Sequence, residues 1–239
     1  MDELPLPSAP ELLDLLRSQA NPENVAGMAR YRISPAGTLG VSIPFLRGVE
    51  KDTRSARRRH PEDAHTLAAT LWSSGIHEAR ILASLLDVPA LVTREQSETW
   101  AADLDSWDVC DGLCNNLLDK TPIAYELATA WASAAPEFVK RAGFVLMCTR
   151  ALHDRSVGDE PFLGFLVLVE READDERPFV KKGVNWALRQ IGKRNGYLHA
   201  AAVEVGLRLR DSGSKAARWV ASDALRELTD ERTIARIRR

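Results

Sequence analysis

Apolar residues recur at the three- to four-residue spacing of a helix along nearly the whole chain, and the alternation that marks a half-buried strand is almost absent. The pattern predicts an all-α protein. Helix starts are signalled by short polar side chains that can accept orphan amides: Ser8 with Glu11 three positions on, Asn21 before Pro22, Ser42 before Ile43-Pro44, Thr93, Thr121 before Pro122, and Ser214. Between these signals the predicted helices run near 9–19, 22–31, 43–58, 62–73, 76–87, 94–104, 107–118, 122–133, 136–152, 160–173, 177–193, 197–211 and 215–228.

Most connections between these segments are short, so consecutive helices should pair, and a long run of such pairs without strands is either a bundle or a solenoid. No Gly/Ser linker interrupts the chain, and the proline-containing stretch from about Ser34 to Ser42 reads as a connection, so residues 1–239 are expected to form one domain. Trp107, Arg141 and Trp186 are separated by 34 and 45 residues, steps that bracket one helix pair in HEAT-like arrays. A HEAT-like solenoid, an α-α superhelix with a concave face, is the expected architecture.

Two segments carry candidate chemistry. In Ser106-Trp107-Asp108-Val109-Cys110-Asp111, Trp107 and Asp111 lie four residues apart and share a helix face, placing a carboxylate beside a large aromatic plane. In the segment from Phe179 to Arg194, Lys182, Trp186, Arg189 and Lys193 fall at i, i+4, i+7 and i+11, a basic face with a tryptophan in its middle. Such a pairing of cations, aromatics and one carboxylate suits an anionic polymer that bears an electron-poor group.

The whole chain has a formal charge of −2, but residues 176–239 hold 15 lysines and arginines against 7 aspartates and glutamates. That segment is +8, leaving −10 on the preceding 175 residues, so the carboxy-terminal part is the expected electrostatic footprint on nucleic acid. Acidity over the rest keeps a different reading open, a non-catalytic module that binds DNA or protein, because a duplex-wrapping surface should be basic along most of its length. Three cysteines, Cys110, Cys114 and Cys148, an odd number within apolar helical patterns, argue against a disulfide framework and for a reducing, cytoplasmic setting. The acidic, proline-bearing amino terminus does not resemble a signal peptide, no segment has the length of a membrane span, and neither His77-Glu78 nor Cys110-x-x-x-Cys114 has partners at metal-ligand spacing. Trp72, Trp100, Trp131 and Trp219 are assigned to the core. The Arg57-Arg58-Arg59 run reads as a solvated helix end.

Six ordered segments resemble one family, the AlkD-like DNA alkylation repair glycosylases: Met28-Ala29-Arg30-Tyr31, Gly40-Val41-Ser42-Ile43-Pro44, His77-Glu78-Ala79-Arg80, Ser106 to Asp111, Glu137 to Ala142, and Lys182 to Arg189. The resemblance implies HEAT-like repeats curved around duplex DNA. It also implies hydrolytic removal of cationic alkylated bases such as 3-methyladenine and 7-methylguanine, with no cofactor, no metal and no tight base-flipping pocket. By position, Asp111 resembles the catalytic carboxylate, Trp107 and Trp186 the aromatic pair on the sugar and backbone, Arg141 a clamp on the DNA, and Tyr31 a third aromatic. Ser106 departs from the pattern, which has a second tryptophan there. Read without the family, Arg141 could equally cap helix carbonyls or pair with Glu137. The implied partner is double-stranded DNA containing alkylated bases, bound by a monomer that is cytoplasmic and nucleoid-associated when on DNA. Lys182, Arg189 and Lys193 are the expected phosphate contacts.

Overall fold

In the computed structural model, which describes residues 5–237, the chain forms fourteen α-helices and one short 3-10 turn, with no strand among the described residues. It divides into two compact units, the first ending at Thr121 and the second beginning at Pro122.

The first unit contains α1 (Ala9–Ser18), α2 (Pro22–Ala29), α3 (Ile43–Arg59), α4 (Pro61–Ser73), α5 (His77–Leu86), α6 (Arg94–Ala102), α7 (Trp107–Asn116) and the 3-10 turn Leu118–Lys120. Helix α5 is its centre: it packs on α1, α3, α4 and α7, and eight of its ten residues are buried. Such a helix is apolar around most of its circumference because several neighbours cover it. Trp72 and Trp100 stack with ring centroids 4.2 Å apart in the same core. Arg57 is not a solvated helix end: it donates to the Leu85 and Leu86 carbonyls at the end of α5 and pairs with Glu50 at 2.5 Å, whereas Arg58 and Arg59 are exposed.

The second unit contains α8 (Ala124–Trp131), α9 (Glu137–His153), α10 (Glu160–Arg171), α11 (Pro178–Gly192), α12 (Gly196–Arg210), α13 (Lys215–Leu228) and α14 (Glu231–Ile237). Here α9 and α11 form the centre, with α8 on one side and α12 and α13 on the other. Gly143 lets the backbones of α8 and α9 touch, since a Cβ there would lie 2.6 Å from the Ala132 amide nitrogen. Lys140 is buried and pairs with Glu172 at 2.7 Å and Asp175 at 2.9 Å, fastening α9 to the α10–α11 connection.

The sequence-read caps act as expected at Ser8, Asn21, Ser42, Thr93 and Ser214, each accepting an amide of its first turn. Thr121 does not. Its hydroxyl donates to the Leu118 carbonyl at 2.7 Å, closing the 3-10 turn, and α8 begins only at Ala124. Helix α14 lies beyond the predicted helices; it is short, no residue of it is buried, and Ile234 and Ile237 are half-buried. All three cysteines are buried.

Candidate nucleic-acid interface

In the first unit, Trp107 opens α7, and Asp111 sits one turn further on the same face; both are partly exposed. The indole of Trp107 donates to the backbone carbonyl of Tyr31 at 3.1 Å, so the structure brings these two sequence-read aromatics together. Tyr31 is 68 % exposed, and the next residue, Arg32, has the left-handed φ of 64° that non-glycine residues rarely adopt. The turn that presents Tyr31 therefore carries local strain.

The loop that follows, from Gly37 to Val41, is held by the segment His77-Glu78 at the start of α5. The Glu78 carboxylate is buried and accepts the consecutive amides of Leu39, Gly40 and Val41 at 2.9, 2.6 and 3.3 Å, while the His77 amide donates to the Gly37 carbonyl at 2.9 Å. Three charge-assisted bonds fix a loop that has no secondary structure of its own. The His77 ring reaches the other way, its Nε2 lying 2.9 Å from Asp108 in the first turn of α7. One dipeptide thus ties the loop from Gly37 to Val41 to the helix bearing Trp107 and Asp111.

Burial disfavours the His77 imidazolium, but the hydrogen bond and charge of Asp108 outweigh it and raise the histidine pKa. Burial likewise opposes the Asp108 charge, and His77 overcomes it to lower the carboxyl pKa. A raised histidine contributes stability below its unfolded pKa, near 6.5, and loses it as pH rises through the folded value. A lowered aspartate contributes above its unfolded pKa, near 3.9, and loses it as pH falls through the folded value. Relative to Asp108→Asn, the native protein should be most favoured between about pH 4 and 6.5, with the gap narrowing on both sides. Melting temperatures of the two proteins between pH 3 and 9 check this; a constant gap would mean that the pair is not ionised in the folded state.

In the second unit, α11 presents the other sequence-read residues. Lys182, Trp186 and Arg189 of α11, Trp219 and Asp223 of α13, and Arg141 of α9 line a groove of about 390 Å³. Asn185 secures its base by donating to the Val220 carbonyl at 3.1 Å. Arg141 is 6 % exposed, and its Nη1 donates to the Phe179 carbonyl at 2.8 Å, so it ties α9 to the first turn of α11 as well as edging the groove. Lys182 is exposed. Arg189 and Lys193 both pair with Glu227, at 2.5 and 2.6 Å. Burial opposes the Glu227 charge, but Lys193 and Arg189 hold its carboxyl below the usual glutamate range. Two cations of the basic stripe thus share one anion.

The assignment of Trp219 to the core is corrected by this geometry. It is 40 % exposed, with the Lys181 ammonium 4.9 Å from its ring centre. The buried face of α13 is Ala216, Ala217, Val220, Ala221, Ala224 and Leu228, and at 100° per residue Trp219 falls on the opposite side, with Asp223 at the edge. That signal is present in the sequence. Trp72, Trp100 and Trp131 are buried as expected. Among the described residues no cluster of three metal-binding side chains occurs, and no helix is long and apolar enough to cross a membrane.

Stacked helix pairs with cations and aromatics presented along individual helices define a HEAT-like repeat protein. Residues 12–228 match the family model described as DNA alkylation repair enzyme, and the chain belongs to that family. It is similar over its fold to a solved structure described as "A new family of proteins related to the HEAT-like repeat DNA glycosylases with affinity for branched DNA structures". That match has a TM-score of 0.69 and 16% identity, and covers 92% of this chain and 95% of the other. No curated protein sequence matches the chain.

Proposed function

We propose that this protein is a DNA glycosylase that excises positively charged alkylated purines, 3-methyladenine and 7-methylguanine, from duplex DNA in base excision repair. The observation that carries the reading is Trp107 beside Asp111 on the partly exposed face of α7, in a chain of the DNA alkylation repair enzyme family. Alkylation at N3 or N7 makes the purine cationic. When the N-glycosyl bond breaks, its electron pair returns to the base, which departs neutral and needs no general acid. Water then adds to C1′ of the sugar and releases a proton. The protein's task is to stabilise the positive charge that develops on the sugar, and a preorganised carboxylate such as Asp111 does so by electrostatics that strengthen as solvent is excluded. Trp107 and Trp186 add aromatic faces to the sugar and backbone, with Tyr31 as a third. Arg141 clamps the strand near the lesion, and Lys182, Arg189 and Lys193 take phosphates. In this reading both units act as one domain on the same duplex, as a cytoplasmic monomer, without a tight pocket for a flipped base.

Incubation with methylated duplex DNA and assay of free base tests the proposal directly. Release of 3-methyladenine and 7-methylguanine is expected. Duplex binding without any release would favour the second reading, a non-catalytic DNA-binding module, which draws support from the affinity for branched DNA described for the similar structure.

The shared Glu227 yields a sharper test of the basic stripe. Glu227→Gln removes the one anion that Arg189 and Lys193 both contact, so more cationic charge becomes available to phosphates. Tighter duplex binding at low salt is expected, together with a salt dependence steeper by about 0.9 in log–log slope for each additional phosphate neutralised. An affinity and slope unchanged across a salt titration would remove Arg189 and Lys193 from the interface.

A further inference from the structure

We infer that the groove between α11 and α13 is a site for an unpaired nucleotide, with Trp219 as the surface on which its base stacks. The inference rests on the reading of DNA as the partner and adds a strand state and a residue to it. Four observations carry it. Trp219 is 40 % exposed and lines the groove, so part of its aromatic plane is open to an occupant. The same groove is lined by Arg141, Lys182 and Arg189; Arg189 is paired with Glu227 and the groove's carboxylate, Asp223, with Arg226, so exposed Lys182 is the charge that draws an anionic occupant. Its volume of about 390 Å³ is on the scale of a single nucleotide. Lys181 stands over the Trp219 ring at 4.9 Å, which orients the ring.

Strand state follows from the aromatic surface. Within a duplex the faces of each base are covered by its neighbours, so a paired strand offers an indole only sugar and phosphate. An unpaired base offers a free π-face, and stacking of this kind is tolerant of sequence because every base has one. Lys182 stands in the same groove to receive the adjoining phosphate.

The test uses the full chain and three unmodified probes of equal length at low salt: single-stranded oligo-dT, a fully paired duplex, and a duplex with a single-stranded tail. Trp219→Ala is expected to weaken binding of oligo-dT and of the tailed duplex by about 10-fold, with paired-duplex binding changed less than about 2-fold. Trp219→Phe should retain most of the affinity while losing part of the tryptophan fluorescence quench caused by oligo-dT. Because Trp219 is half exposed, both variants should fold, and their melting temperatures verify it. Equal losses on all three probes, or unchanged oligo-dT binding by Trp219→Ala, would overturn the inference. Base release from methylated duplex, measured alongside, separates the two readings. Absence of release by the native protein sinks the glycosylase reading and leaves the oligo-dT comparison intact. Unchanged oligo-dT binding with release preserved sinks only the groove. Absence of binding to every probe overturns the groove, and absence of release alongside it overturns both.

Discussion

Asp111→Asn should lower single-turnover release of 7-methylguanine about 10²–10³-fold, the usual effect of losing one preorganised group that stabilises the transition state. Asparagine keeps the shape of the side chain, and position 111 is only partly buried, so α7 should retain its packing. What disappears is the negative charge, which in the proposed mechanism is needed only while the sugar is becoming cationic. Duplex affinity should therefore stay level or rise slightly, because the repulsion between the carboxylate and nearby phosphates is removed as well. Excision and equilibrium binding measured on the same duplex, carrying one 7-methylguanine, distinguish this from a folding defect. Native-like excision by the variant would take the carboxylate out of the mechanism.

Gly40→Ala should produce the largest loss of stability, about 4 kcal/mol, the upper end for a point substitution. Gly40 has φ +80°, which costs any L side chain, and an added Cβ would lie 2.2 Å from the Asn21 carbonyl oxygen. Neither side can yield cheaply. The Asn21 amide donates to the Leu39 carbonyl at 2.8 Å and its side chain caps α2, Asn24 Nδ2 donates to the Gly40 carbonyl at 2.9 Å, and Glu78 grips the amides from 39 to 41. Since the same loop follows Tyr31, whose carbonyl receives the Trp107 indole, base release should fall together with stability. Gly27→Ala in α2 is the control: a Cβ there meets nothing within 4 Å, and the change should be neutral or gain a few tenths of a kcal/mol. Urea denaturation of the three proteins provides the comparison, and a Gly40→Ala midpoint equal to the native one would show that the loop tolerates rearrangement.

Local physics made much of this protein legible in its sequence. Helical periodicity and capping side chains act within a few residues, which is why the thirteen predicted helices lie within about two residues of observed ones and Ser8, Asn21, Ser42, Thr93 and Ser214 cap as expected. The shared helix face of Trp107 and Asp111, and that of Lys182, Trp186 and Arg189, follow from 3.6-residue geometry alone. Helical phase also held the outward position of Trp219, although an apolar residue in an apolar run reads first as core.

Other features depend on residues far apart in sequence that only folding brings together. Nothing local announces that Glu78 will bind amides 37 to 39 positions earlier, or that His77 will meet Asp108, 31 positions later. A count of cations gives +8 for the carboxy-terminal segment, but the field at its surface is set by Glu227, which α13 brings to within 2.6 Å of cations on and just beyond α11. Arg141 likewise resolves into a bond to the Phe179 carbonyl, 38 positions away, a choice its neighbours in sequence do not make. The sequence by itself determined which segments are helices and which residues share a face; the tertiary structure decided which charges remain available and which loops are held, because both depend on pairings that desolvation and packing make only when distant helices meet.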